Sequence, residues 1–366
     1  MPAVAFYISG HGFGHASRQI EIINALGAAD RGVQILVRTS APRWLFERTA
    51  TAPIEVQHAA CDTGVAQIDS LRLDERATVA RAAEFHRTFG ARVEVEADLL
   101  RRAATRLVVC DAPPLACAAA AAAGVPAFVV ANFTWDWIYA GYPEHLHQAP
   151  GLVPAIRTAY AQAAEAWRLP MHGGFESIAA VRDVPFVARH ARHAPADVRR
   201  RLGLPADQPL LLSSFGGYGL DALDVSTPDC LGEYALVLTG RGEAPGPVRP
   251  NVYRIHESPM YEAGLRYEDL VAAVDVVVTK PGYGIIAECL ANDTAILYTS
   301  RGRFPEYDVL VAEMRRYLRC AFIDTDALLA GRWRDALDRL GAVPPPESRP
   351  RTDGAVVVAG MLVERM

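Results

Sequence analysis

The chain has 366 residues, 37 Lys plus Arg against 42 Asp plus Glu for a formal charge of −5, and 51% hydrophobic residues. That length suits two domains with separate cores, and the composition excludes an intrinsically disordered chain. The acidic balance argues against a general nucleic-acid binder, and no apolar run reaches the roughly 18 residues of a membrane span.

The opening MPAVAFYISGHG lacks a positive segment, so it reads as a first strand and not as a signal peptide. After VAFYIS (4–9) come a Gly/His loop and a helix predicted over 17–29. Strands are predicted at 33–40 and 54–59, then a long helical region over 73–104. LVVCD (107–111) is a strand, 114–124 a helix closed by Gly124, and PAFVVAN (126–132) a further strand. Apolar strands alternating with helices imply a parallel sheet covered on both faces. Residues 141–207 are rich in Pro, Arg and His, with VRDVPFVAR (181–189) as the crossover. A second α/β series has predicted strands at 209–217, 235–240, 252–256, 274–280, 295–299 and 320–324. The expected fold is α/β, two Rossmann-like doubly wound domains facing across a cleft. The first spans 1–180 and the second 181–345. The tail 346–366 forms a helix that packs back on the first domain. None of the six cysteines forms a C-x-x-C pair. Buried thiols in a reducing cytoplasm are expected.

Each half opens with a strand running into a Gly-rich loop, SGHGFGH (9–15) and SSFGGYG (213–219). Two such loops at the carboxyl ends of first strands would share one cleft. The G-x-G-x-G spacing is not that of a dinucleotide fold, and the next strand ends in Arg38-Thr39-Ser40 without an acid, so NAD is not expected. His11 and His15 sit in the first loop. Asp111 ends the strand LVVCD, next to the first strand in such folds. It would then accept a bond from one nitrogen of His15 and leave the other as a general base; the alternative is that Asp111 caps the next helix. In TKPGYGIIAE, Gly282 and Gly284 leave room for phosphate at a helix N-terminus, and Glu288 could take a ribose diol. Lys280 and Tyr283 flank the same turn. Arg301, Arg303 and Glu306 in SRGRFPEYD suit a diphosphate and sugar hydroxyls. His256 and Met260 in IHESPMY lie where a base edge would reach. In NFTWDWIY, Trp135, Asp136 and Trp137 suit stacking on a sugar or flat acceptor. Asp62 in ACDTG could line the same pocket.

Strand, GYG, helix and Glu288, followed by a strand and an acidic loop, resemble the donor segment of GT-B nucleotide-sugar glycosyltransferases. GHGFGHASR, DTGVAQID, VVCDAPPLACAAAAAAGVP, NFTWDWIY and KPGYGIIAE are similar to the amino-terminal glycosyltransferase-like region of plant L-arabinokinases. No kinase phosphate loop of the P-x-x-x-G-L-S-S type occurs, so sugar-kinase activity is not implied. The resemblance implies an inverting transfer with His15 as base and Asp111 as its support. It implies a nucleoside-diphosphate sugar such as a UDP sugar as co-substrate, with no separate cofactor. Gly14, Gly216, Gly217, Tyr218 and the residues from 256 to 306 named above would bind this donor. His11, Phe13, Asp62, Trp135, Asp136 and Trp137 would bind a small-molecule or glycan acceptor. The His-Cys-Gly-Trp signature and the closing Asp/Glu-Gln pair of plant secondary-product transferases are absent. Pro305-Glu306-Tyr307-Asp308 stands in place of that pair, which leaves the donor sugar open. No D-x-D pair is read in a strand-end loop, so no required metal is expected. A monomer or homodimer in the cytoplasm is expected. An epimerase, hydrolase or phosphorylase on the same fold, or a non-catalytic sugar-nucleotide binder, remains the alternative.

Overall fold

The computed structural model describes residues 3–216, 231–239, 246–346 and 348–366. The first sheet is built from β1 (Ala3–Ile8), β2 (Gln34–Thr39), β3 (Ile54–His58), β6 (Thr105–Asp111), β7 (Ala127–Phe133), β8 (Glu165–Gly173) and β9 (Val181–Asp183). Between β3 and β6 lies a two-stranded hairpin, β4 (Ala66–Gln67) and β5 (Leu73–Asp74). The order is β3-β2-β1-β6-β7-β8-β9, with every neighbouring pair parallel. The second sheet holds β10 (Leu210–Ser214), β11 (Ala235–Thr239), β12 (Gly246–Arg249), β13 (Val252–Ile255), β14 (Val276–Thr279), β15 (Ala295–Tyr298) and β16 (Cys320–Phe322). Its order is β12-β13-β11-β10-β14-β15-β16, parallel except for the edge strand β12.

Strand periodicity explains the layering. In β1, Ala5 and Tyr7 enter one core, whereas Val4, Phe6 and Ile8 enter another on the opposite face. Alternate residues point to opposite faces, so a strand buried on both must be apolar throughout. The second sheet repeats the pattern, with Leu210 and Leu212 on one side and Leu211 on the other. Each domain is therefore a three-layer sandwich of helix, sheet and helix.

Several local expectations shift. The first helix is Gly12–Ala29, starting five residues before its predicted position, so His15 lies in its first turn and not in a loop. Glycine-rich starts have poor helix propensity, but packing against the terminal helix Gly354–Val363 and helix Tyr283–Asn292 overrides it. The long helical region breaks at Thr88 into Glu75–Arg87 and Phe89–Arg102. The Pro-rich segment after 141 supplies β8 and β9, so the first sheet extends to Asp183 before the chain crosses over.

Helix Gly354–Val363 returns to the first domain. Val358, Ala359 and Leu362 are buried beside Ile20 and Ile23. Gly354 has backbone against it, since a Cβ there would sit 2.2 Å from the Pro185 carbonyl oxygen. Leu362→Ala is expected to cost about 2–5 kcal/mol in chemical denaturation. Val356→Ala, on the face that is 67% exposed, should stay within about 0.5 kcal/mol of wild type. Equal effects would show that this helix does not belong to the first core.

Candidate functional site

The parallel register of β1 with β6 sets Ile8 beside Asp111. The strand end therefore delivers Asp111 to the loop that leads into helix Gly12–Ala29. His15, in the first turn of that helix, places Nδ1 2.9 Å from Asp111 Oδ1. Asp111 is fully buried. Burial by itself would raise its pKa; the Arg18 charge and His15 reverse this and hold it down to about 2. It does not cap the following helix: that N-cap is Pro113, with no side-chain cap bond.

The floor around His15 is aromatic. Phe133 lies edge-on at 5.5 Å between ring centres, and Trp135 tilts toward it at 6.5 Å. One face of Trp135 is stacked on Tyr139, and its indole N–H donates to Asp62 Oδ2 at 2.9 Å. Asp62 also accepts from the Ser9 hydroxyl at 3.0 Å. Burial pushes its pKa up against those bonds. A small, partly open pocket beside these groups is lined by Asp62, Thr63, Phe85, His86, Trp135 and Tyr139, among others. His11 is the N-cap of the helix and packs edge-on to Trp135. Enclosure, with His15, Arg301 and Lys280 nearby, lowers its pKa to about 3.

The second domain supplies the opposite wall. Gly282 caps helix Tyr283–Asn292, and Gly284 faces Gly14, whose Cα would lie 3.5 Å from a Cβ placed on Gly284. Two helix N-termini, each with free N–H groups and a positive dipole end, thus meet across the cleft. The Tyr283 ring lies 5.9 Å from that of Phe133, and its hydroxyl is buried without a partner. Glu306 is buried and bonded to Arg301, which stacks on Phe304. Burial raises the Glu306 pKa, while Arg301 and then His15 oppose the rise, so Glu306 stands within electrostatic reach of the imidazole. Lys280 donates to the Ser70 carbonyl across the domains. Burial, reinforced by Arg301, lowers its pKa to about 7.

Other expected site residues point elsewhere. Asp136 is buried against Arg157, 3.2 Å away, and Trp137 packs against Gly173 and Gly174, so neither joins Trp135. Phe13 faces Trp44, which in turn meets Tyr261 of the second domain. Met260 is in the second core. His256 is the N-cap of helix Glu257–Glu262, with Nε2 buried and unpartnered. Glu288 is buried and taken by Arg189 Nε at 2.7 Å. Gly216 is exposed, with a positive φ of 73°; Gly217 and Tyr218 lie outside the described residues. Arg303 leaves the cleft centre and bonds Glu144 at 2.6 Å and Glu75 at 3.4 Å. Glu75, Glu144 and His145 could hold an ion, their ligand atoms lying within 4.8 Å of one another, but Arg303 occupies that cluster. One D-x-D spacing, Asp324-Thr325-Asp326, does follow a strand, contrary to the sequence expectation. Asp324 spends its carboxylate as an N-cap, accepting from the Asp326 and Ala327 N–H groups. Sequence reasoning missed Arg18 and Gln19, which both bond Asp111. The signal was present as a His-x-x-Arg-Gln spacing on one helix face.

No protein-family model matches the chain. It is 30% identical to an L-arabinokinase of Arabidopsis thaliana over 350 residues, covering 93% of this chain and 32% of that protein. The chain thus spans about a third of the length of that relative. Among solved structures it is similar to CalG4, the calicheamicin glycosyltransferase, with a TM-score of 0.61 and 16% identity over 100% of this chain and 98% of that one. A Phytolacca americana UGT2 complexed with UDP-2fluoro-glucose and pterostilbene gives a TM-score of 0.59 at 10% identity, covering 100% of this chain and 94% of that one. MurG of Acinetobacter baumannii gives 0.54 at 14%, with full coverage of both. The chain has the GT-B fold. No helix among the described residues is long and apolar enough to cross a membrane.

Asp111→Asn would leave the Arg18 charge buried without its partner, at an expected cost of about 3–5 kcal/mol at pH 7. A carboxylate with a depressed pKa stabilises the folded state above its unfolded pKa of about 3.9. That contribution is lost as pH falls toward about 2. Denaturation of wild type and variant should therefore converge over this range. A gap that persists at pH 2 would refute the ionised assignment.

Proposed function

We propose that this chain is an inverting, nucleotide-sugar-dependent glycosyltransferase, with acceptor bound on the first domain and donor chiefly on the second. The observation that carries the reading is the buried His15–Asp111 contact of 2.9 Å, facing the N-terminus of helix Tyr283–Asn292. Asp111 accepts from Nδ1, which leaves Nε2 with a free lone pair. His15 Nε2 takes the proton of an acceptor hydroxyl as that oxygen attacks the anomeric carbon. The bond from that carbon to the diphosphate oxygen breaks, and the diphosphate leaves with the electron pair. Attack from the face opposite the leaving group inverts the anomeric centre.

The charge that develops on the diphosphate is met by the free N–H groups after Gly282 and by Arg301. Glu306, bonded to Arg301 and within reach of His15, would accept from sugar hydroxyls. Asp62, held in place by the buried Trp135 indole, would hold the acceptor beside Nε2. Arg189 already holds Glu288 Oε1, so a ribose diol would share that carboxylate or displace the bond. The reaction is proposed to need no metal.

A thermal-shift screen of UDP and dTDP sugars identifies the donor; a ligand at 100 times its Kd adds about 2.7 kcal/mol of stability. With that donor and an acceptor pool, His15→Ala should lower nucleotide release by about 10²–10⁴-fold and leave the thermal shift unchanged. Full turnover in His15→Ala would remove the base assignment. In a separate assay EDTA should leave turnover intact. Loss restored by Mg²⁺ would contradict the metal-free chemistry.

A further inference from the structure

The proposed base needs one partner at Nδ1, yet Asp111 is held by two further side chains. Arg18 and Gln19 stand three and four positions after His15, on the same face of helix Gly12–Ala29. Arg18 donates Nε to Asp111 Oδ2 at 3.0 Å and Nη2 to Oδ1 at 2.7 Å and Oδ2 at 2.8 Å. Its Nη1 donates to Asn132 Oδ1, and the Asn132 amide donates to the Pro170 carbonyl at 2.6 Å. Gln19 Nε2 reaches Asp111 Oδ2 at 2.8 Å and the Val130 carbonyl at 3.2 Å. Arg18 Nη2 also stands 3.3 Å from His15 Nδ1.

We propose that Arg18 is a positioning residue: its guanidinium grips both oxygens of Asp111 and balances that charge, so that Asp111 aligns His15 without converting it to a standing imidazolium. The inference rests on the reading of His15 as a base and deepens it. A lone buried carboxylate against an imidazole favours the charged ring, and a ring already protonated cannot take the acceptor proton. A fixed guanidinium 3.3 Å away opposes a second positive charge on that ring. The same fork occupies the carboxylate lone pairs, so Asp111 orients the proton on Nδ1 and does not take it. Anchoring through Asn132 ties the fork to β7 and, through Pro170, to β8. The helix face and the strand end thus stay in register.

Among the described residues, the other ionisable groups that interact with His15 are His11 ahead of it, Asp62 from the loop after β3 and Glu306 from helix Glu306–Tyr317. Substitution at Arg18 leaves these residues in place, so a difference between variants reports on Arg18.

The test is an NMR pH titration of the imidazole in ¹⁵N-histidine-labelled full chain, with the His15 signal identified by its loss in His15→Gln. No substrate is needed, so failure here is separable from failure of the transferase reading. Arg18→Met is expected to move the His15 midpoint upward by roughly one to three pH units. Arg18→Lys retains a positive charge and should restore the wild-type midpoint while mixing the two ring tautomers, because a single ammonium cannot grip both oxygens. With the donor in hand, the acid limb of kcat/KM should follow the same order. An unmoved midpoint in Arg18→Met overturns the proposal. Where Arg18→Met does not give a cooperative melt, the decision falls on Arg18→Lys. A ring there held as purely in the Nδ1–H form as in wild type overturns the orienting role.

Discussion

A carboxylate taken wholly out of water is costly unless its charge is met and its lone pairs are filled. Asp111 satisfies both conditions with three side chains from a single helix face, His15, Arg18 and Gln19. The constraint is mutual. The helix cannot rotate by a residue without leaving Arg18 or Asp111 buried and unpaired. β6 cannot slip against β1 without withdrawing Asp111 from all three. The position of the helix N-terminus, and with it Gly14, follows from satisfying this one buried charge.

The cleft is then a consequence of two helix starts meeting. Helix Gly12–Ala29 is fixed by Asp111, and helix Tyr283–Asn292 by β14. Their glycine-bearing first turns face each other at Gly14 and Gly284. Around this contact the domains are joined by Lys280 to the Ser70 carbonyl, Arg266 to the Thr49 carbonyl at 3.2 Å, and Arg303 to Glu144. Arg303 is 65% exposed along its side chain, and exposed pairs of this kind contribute only about 0–1 kcal/mol. Apolar contacts add to these bonds, with Tyr283 against Phe133, Trp44 against Tyr261, and Phe304 buried in the first core.

What the sequence showed and hid follows from the range of the interactions involved. His15 and Asp111 were legible because a loop histidine and a strand-end acid carry local marks. Arg18 was not, although its spacing was visible, because the helix was expected to begin at 17 and its first turn was read as loop. Trp135, Asp136 and Trp137 were grouped as though they shared one face. β7 stops at Phe133 and a helix begins at Trp135. The helical advance of about 100° per residue then sends Asp136 to Arg157 and Trp137 to Gly173. Glu288 was read as free to meet a ribose. Its partner Arg189 lies 99 residues away on the crossover, and no local pattern encodes a contact of that separation.

The electrostatics of the cleft follow from its closure. Burial raises Asp62 and Glu306 and lowers His11 and Lys280. All four shifts favour the uncharged form of the group, as desolvation requires. Asp111 is the exception, because Arg18 holds it ionised. Asp111 with Arg18 thus forms a compensated pair behind the imidazole, and Arg301 with Glu306 forms a second on the facing wall. Under the proposed reading a diphosphate entering near Lys280 reverses one of these shifts, since a neighbouring anion favours the ammonium form. Lys280, lowered to about 7, sits where that reversal changes its charge near neutral pH.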